Sequence, residues 1–288
     1  MRRKLIKQGI NGFTVYLPKK WIDSYALKQG NEVDMTLFQG NILISPLTAS
    51  LKKKSISFPI KKGRESAVRT LLVNAYRAGF DTIKITYDGK EKELQYIVNN
   101  FMLGFALFKK GDVYVLESIS EPSAETFDNI LHRQFYLIEE LLKDITSPLL
   151  IDYVHTLQKH DNFLKRCIAK ELFHEHTQFL LWQFLSYLVQ IARLCYHLQQ
   201  RTKGKLNGEA LKLLPKIQCM FSLLHTAYMK KDFLILSQLH DLDEELQNKE
   251  QLATFDISLH YILMISRIIY LANSPLTGYL QLRGTQST

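Results

Sequence analysis

The chain has 288 residues, 46% of them apolar and 23% charged, a balance that excludes disorder and leaves room for two or three domains with real cores. The formal net charge is +9, and most of it sits in the first 54 residues, where ten Lys or Arg face three Asp or Glu for a net +7. Clustering of that kind is the electrostatic footprint of a nucleic-acid binder. A solvated basic tail would carry the same charge, but here the charges lie on a patterned fold.

Arg3 to Gln8 reads as a strand, Gly9-Ile10-Asn11-Gly12 as a turn with a strong Asn-Gly reversal signal, and Phe13 to Leu17 as the returning strand. Pro18 ends that strand by removing a ladder donor. Lys19 to Ala26 forms about two helical turns, with Trp21, Ile22 and Tyr25 at helical spacing. Leu27-Lys28-Gln29-Gly30 closes the helix, with Gly30 placed for a left-handed cap. Val33 to Phe38 and Asn41 to Ser45 then pair across a reversal at Gln39-Gly40. So small a segment has too little core to be a stable monomer.

Gly12, Val15, Leu17, Pro18, Lys19, Leu27, Gly30, Val33, Gly40, Ile42 and Ile44 carry a pattern that resembles the SpoVT-AbrB (MazE-like) swapped-hairpin DNA-binding domain. The resemblance implies that residues 1–50 exchange hairpins with a second copy to close one β-barrel, making the protein a homodimer that binds DNA. Arg2, Arg3, Lys4, Lys7, Lys19 and Lys20 are the candidate DNA contacts, with Asn11 and Thr14 as polar contacts. Arginine can grip phosphate or guanine bidentately, whereas lysine acts as a point charge.

Ser50 to Lys54 is a basic linker, and a small α/β unit is expected over 51–120 in the order β-α-β-α-β. Its strands are Ile56–Ile60, Thr82–Thr86 and Val113–Glu117. Its helices are Arg64–Ala78, capped by Gly79, and Glu91 to about Leu103. Lys61, Lys62, Arg64 and Ser66 lie where a strand runs into a helix start, a place where amides and cations can hold an anion. The stretch lacks the spacing of a P-loop or dinucleotide fingerprint, and a solvated loop is its plainer reading.

From 121 to 288 the pattern is helical. Phe127, Leu131, Phe135, Ile138, Leu142 and Ile145 make a bundle-forming stripe, and a second helix runs from Leu149 to Leu172. The third, near His176 to Gln200, is apolar except for one narrow stripe of Gln183, Ser186, Gln190, Arg193 and His197. A membrane span needs about 20 apolar residues. Arg193 and two glutamines at depth would be costly there, so the central helix of a soluble bundle is expected, with no membrane insertion. Leu141-Leu142, Leu157, Asp161 and Leu164 recur at an offset of 82 as Leu223-Leu224, Leu239, Asp243 and Leu246, and Arg193 recurs at 74 as Arg267. Two three-helix repeats, about 121–203 and 204–285, are therefore expected.

Cys167, Cys195 and Cys219 each fall in an apolar helical pattern and read as buried free thiols. His174-Glu175-His176 does not place both imidazoles on one helix face, so no metal is assigned to it. Asp241, Asp243, Glu244 and Glu245 read as a solvated face. No arrangement suggests catalysis, and no enzyme is expected. Met1-Arg2-Arg3-Lys4 leads into a strand pattern instead of an apolar signal core, so a cytoplasmic protein is expected.

The order of parts resembles the archaeal PhoU-type phosphate uptake regulators, in which two repeated three-helix bundles follow such an N-terminal domain. In PhoU proteins the third helix of each repeat carries E-R-I-x-D, whose carboxylates bind metal. The matching positions here are Ala192-Arg193-Leu194-Cys195-Tyr196 and Ser266-Arg267-Ile268-Ile269-Tyr270. The arginines match and the carboxylates do not, so no metal and no cofactor are expected, and Arg193 and Arg267 become candidate partner-binding residues. The resemblance implies a transcriptional regulator of phosphate uptake. The alternative is an adaptor that docks on a phosphate transporter or signalling kinase, with the N-terminal domain serving only to dimerise.

Overall fold

The structure, a computed structural model, describes residues 3–9, 12–38, 41–46, 53–120, 122–170, 175–247 and 256–284. It is a mixed α+β chain with small sheets toward the N-terminus and a helical C-terminal region. Two compact units divide it, Met1–Lys53 and Lys54–Thr288.

The first unit is two separate antiparallel hairpins with a short helix between them. β1 (Ile6–Gln8) pairs β2 (Gly12–Thr14), with Ile6 opposite Thr14. β3 (Val33–Phe38) pairs β4 (Asn41–Pro46) in the register expected, Phe38 opposite Asn41. The first hairpin is three residues per strand, shorter than the sequence pattern suggests. Between the hairpins, α1 (Lys19–Ser24) follows Pro18, whose missing N–H costs nothing at a helix start. The left-handed residue at its end is Ala26, φ 51°, and not Gly30. The reason is local: the helix closes in a Schellman motif, with the Leu27 amide donating to the Ile22 carbonyl and the Ala26 amide to the Asp23 carbonyl. Gly30, φ 88°, serves the next turn, where Lys28 and Asn31 bond to each other in both directions. The turn at Ile10-Asn11, the reversal at Gln39-Gly40 and most of the linker lie outside the described residues.

The second unit begins with a four-stranded sheet. β5 (Ser55–Ile60), α2 (Glu65–Arg77), β6 (Thr82–Tyr87), α3 (Glu91–Phe101), β7 (Phe105–Lys110) and β8 (Val113–Ser118) follow in order. The strand order is β5-β6-β8-β7, with β5 and β6 parallel and the other pairs antiparallel. β7 corrects the five-element expectation. It begins at Phe105, directly after Gly104, φ 75°, and pairs with β8 as a hairpin across Gly111, φ 61°. On β6, Ile83, Ile85 and Tyr87 are buried while Lys84 and Thr86 are exposed, the alternation of a sheet covered on one face. Leu72 and Tyr76 of α2 and Leu94 and Ile97 of α3 complete that core. Each such buried side chain contributes roughly 1.5–3 kcal/mol.

α4 (Ala124–Lys143), α5 (Leu150–Ala169), α6 (Glu175–Thr202), α7 (Gly208–Lys230), α8 (Gln238–Gln247) and α9 (Ile257–Gly284) make the helical region, with a short 3-10 helix at Phe233–Ser237. The whole stripe from Phe127 to Ile145 is buried. The leucines that the expected repeat pairs are buried in both halves, Leu142, Leu157 and Leu164 with Leu224, Leu239 and Leu246. The second copy is uneven, because a 3-10 turn and a ten-residue helix stand where the first copy has α5. Ser123 and Asn207 cap α4 and α7 by accepting from the Thr126 and Ala210 amides. Among the described residues one helix, Thr177–Thr202, is long and apolar enough to cross a membrane. Its Leu181, Phe184, Leu185 and Leu188 pack into the bundle core, and its polar stripe stays out of that core.

The sheet layer docks on α5 through buried charge. Arg166, 1% exposed, donates to Asp81 at 2.5 Å and to the Phe80 carbonyl at 2.7 Å, and Lys170 Nζ lies 2.6 Å from the same carboxylate. The Arg166 guanidinium also lies over the rings of Phe105 and Tyr76, at 4.9 and 5.3 Å. Burial alone would raise the Asp81 carboxyl, but bonds from Lys170 and the Lys54 amide, with the charges of Lys170 and Arg166, hold it below the usual carboxylate range. Gly79, φ 83°, brings the end of α2 close enough that a Cβ there would meet the Lys170 side chain at 3.3 Å.

Candidate functional site

In the first unit the candidate DNA contacts Arg3, Lys4, Lys7, Lys19 and Lys20 are all exposed. Arg3, Lys4 and Lys7 lie before and along β1, and Lys19 and Lys20 open α1. Thr14 Oγ1 donates to the Ile6 carbonyl at 3.3 Å, which ties that hydroxyl to its own hairpin. Arg2 and Asn11 lie outside the described residues. No described side chain of this unit is buried. Tyr16 is 73%, Phe13 65% and Met35 62% exposed, so a segment with patterned strands leaves its large apolar side chains uncovered.

Lys61, Lys62, Arg64 and Ser66 are likewise exposed, between β5 and the first turn of α2. The Lys62 amide, however, donates to the Asp88 carboxylate, and Glu65 of the first helical turn stands 3.6 Å from Arg69. The chain's own carboxylates therefore already face this loop.

The two repeat-related arginines differ. Arg267 reaches Asp243 at 3.2 Å and lies over the Tyr270 ring, whose hydroxyl meets His240 at 3.1 Å. Asp243 is thus buried and paired, which corrects its reading as part of a solvated acidic face. In the first repeat the matching Asp161, 1% exposed, is held instead by Arg77 at 3.2 Å and Lys165 at 2.8 Å. Arg193 has no carboxylate within 4.0 Å among the described residues. It lines a cavity of about 460 Å³ formed by α2, α3, α5 and α6, together with Arg69, Arg77, His155, Tyr196 and His197. Burial, partly offset by Asp161, lowers the affinity of Arg77 for its proton, and Arg193 lowers it further. Lys165 is shifted down by burial in the same way, with Arg77 and Arg193 adding to the shift.

Cys167 and Cys195 are buried, their thiols pushed up by desolvation, Cys167 to about 12. Cys219 is exposed, a correction that follows from its place on α7 between buried Ile217 and Met220 but on the outer face. Among the described residues no group of three or more His, Cys, Asp or Glu could hold a metal ion, and His174 lies outside them. The sequence singled out Arg193 through the repeat and missed Arg69 and Arg77. Nothing in the linear pattern says that α2 lies against α5. No family model matches this chain, and neither the curated proteins nor the solved structures contain a match to it.

Proposed function

We propose that the chain is a DNA-binding transcriptional regulator, acting in the cytoplasm as a homodimer whose first units complete each other. The observation that carries this reading is the combination in one small unit of exposed cations with large uncovered apolar side chains. A second copy of the same segment offers a matching apolar face, and an isologous exchange of hairpins into a barrel would bury Phe13, Tyr16 and Met35 together. The cations would then be presented twice, about a two-fold axis, to the phosphates of a duplex. The bundle would act as the responding part. Control of phosphate uptake is the process to which the resemblance to PhoU-type regulators points.

A second reading rests on the bundle. Phe179 and Trp182 are exposed on α6, at 63% and 37%. They favour an adaptor that docks on a phosphate transporter or signalling kinase, with the first unit serving only to dimerise. Selection of duplexes by the full chain from a random-sequence pool separates the two. The regulator reading expects enrichment of a motif with two related half-sites. Recovery of unenriched sequence would replace it with the adaptor.

A further inference from the structure

Around Asp161 and the cavity beside it, the cations outnumber the carboxylates. In the second repeat one arginine meets one aspartate, Arg267 with Asp243. In the first, Asp161 is shared by Arg77 and Lys165, and Arg193 is left facing the cavity. Arg69 enters the same cavity from α2 with only a loose partner, Glu65 at 3.6 Å, and lies 4.7 Å over the Phe101 ring. Three guanidinium groups therefore converge on one space with no carboxylate among its lining residues.

The geometry is also prepared for a ligand. Arg77 donates through Nε to Asn162 Oδ1 at 2.8 Å and through Nη2 to Asp161 at 3.2 Å. Asn162 is itself fixed by donating to the Phe101 carbonyl at 2.9 Å. That leaves the Nη1 donors of Arg77 with no acceptor among the described residues. A guanidinium locked on two edges loses little further freedom when it binds, and its planar fork matches the oxygens of a tetrahedral anion. The volume, about 460 Å³, falls within the range of small-molecule sites. Phe101 and Tyr196 add aromatic surface beside the arginines.

We propose that this cavity binds a small phosphoryl-bearing anion, held by Arg69, Arg77 and Arg193. Inorganic phosphate and a phosphorylated metabolite share that chemistry, and a mononucleotide would place its ring toward the aromatic wall. The site stands on the cavity alone; its role as the effector site of the bundle rests on the regulator reading.

The test is calorimetric titration of the full chain, without DNA, with inorganic phosphate, pyrophosphate and AMP in turn. Saturable binding of at least one probe is expected, with phosphate tightest if the free ion is the ligand and AMP tightest if a nucleotide is. Arg193→Ala, at an exposed position, should leave thermal unfolding unchanged and weaken the best probe by about tenfold to a hundredfold, the reduction expected for a charge-assisted hydrogen bond. Lys212→Ala, which removes a charge on the surface of α7, should leave affinity as it is. No saturation with any probe at millimolar concentration overturns the site, and so does equal affinity in wild type and Arg193→Ala. DNA affinity of the full chain, measured with and without the best probe, judges the rest: saturable binding that leaves DNA affinity unchanged overturns the effector role, whereas failure to bind DNA at all counts against the regulator reading and not against the cavity.

Discussion

The two units of this chain dispose of their apolar side chains in opposite ways. In Lys54–Thr288 they gather into two clusters, one under the sheet and one through the helices, with Leu72, Ile85, Phe135 and Leu188 shielded from solvent. In Met1–Lys53 no described side chain is buried, although its strands pair in continuous antiparallel register. Local pattern makes hairpins, but only packing makes them stable, and about forty residues cannot enclose a core by themselves. The contrast teaches that the second unit should be a self-sufficient folding unit, while the first should depend on another copy.

The largest effect expected concerns the second unit. Asp81→Asn would leave Arg166 and Lys170 buried at the dock between the sheet layer and α5 with their counter-charge removed. Breaking a buried pair in this way costs about 3–5 kcal/mol. Denaturant unfolding should show that destabilisation, independent of protein concentration; a change below about 1 kcal/mol would mean that water reaches these charges. The first unit should behave differently. Phe13→Asp with Tyr16→Asp would put charge on the face that the proposed exchange would bury and remove apolar burial worth roughly 1.5–3 kcal/mol per side chain. Sedimentation should show the wild type dimeric and the variant monomeric, with the melting of the second unit retained. A variant that stays dimeric would place the dimer contact elsewhere.

A smaller effect follows from His160, whose buried Nδ1 has no partner among the described residues and whose pKa burial lowers to about 4, with Arg133 and Lys159 adding to the shift. The unfolded chain takes up this proton below about pH 6.5, before the folded one does. Stability from the neutral imidazole is therefore complete above that pH and drains away as pH falls toward 4. His160→Gln should flatten the stability profile across that window, and an unaltered slope would assign the acid sensitivity to other groups. The depressed Asp81 acts in a separate window: its contribution is complete above the ordinary carboxylate range and disappears as pH falls through its lower folded value.

Much of this architecture was readable in the residues. β-branched alternation placed β6, the Asn-Gly and Gly signals framed the hairpins, and the stripe from Phe127 to Ile145, every residue of it buried, marked a core-facing helix. What could not be read depends on contacts distant in sequence. β7 was hidden because Phe105 to Phe108 has no polar alternation to mark a strand. Asp243 looked solvated because its partner, Arg267, is 24 residues away on another helix. The cavity was invisible for the same reason: Arg77 and Asp161 are 84 residues apart, and only the docking of α2 on α5 brings them together.

Central to the regulator reading is that the exposed cations of the first unit touch DNA. Fluorescence anisotropy on the duplex recovered by selection, repeated across a range of salt, tests this most directly. Each phosphate neutralised should contribute about −0.9 to the slope of log K against log salt. The wild-type chain should show a steep slope. Lys19→Ala with Lys20→Ala should weaken binding and flatten the slope by roughly one unit for each phosphate left without its lysine. An identical slope and affinity in the double variant would contradict the reading.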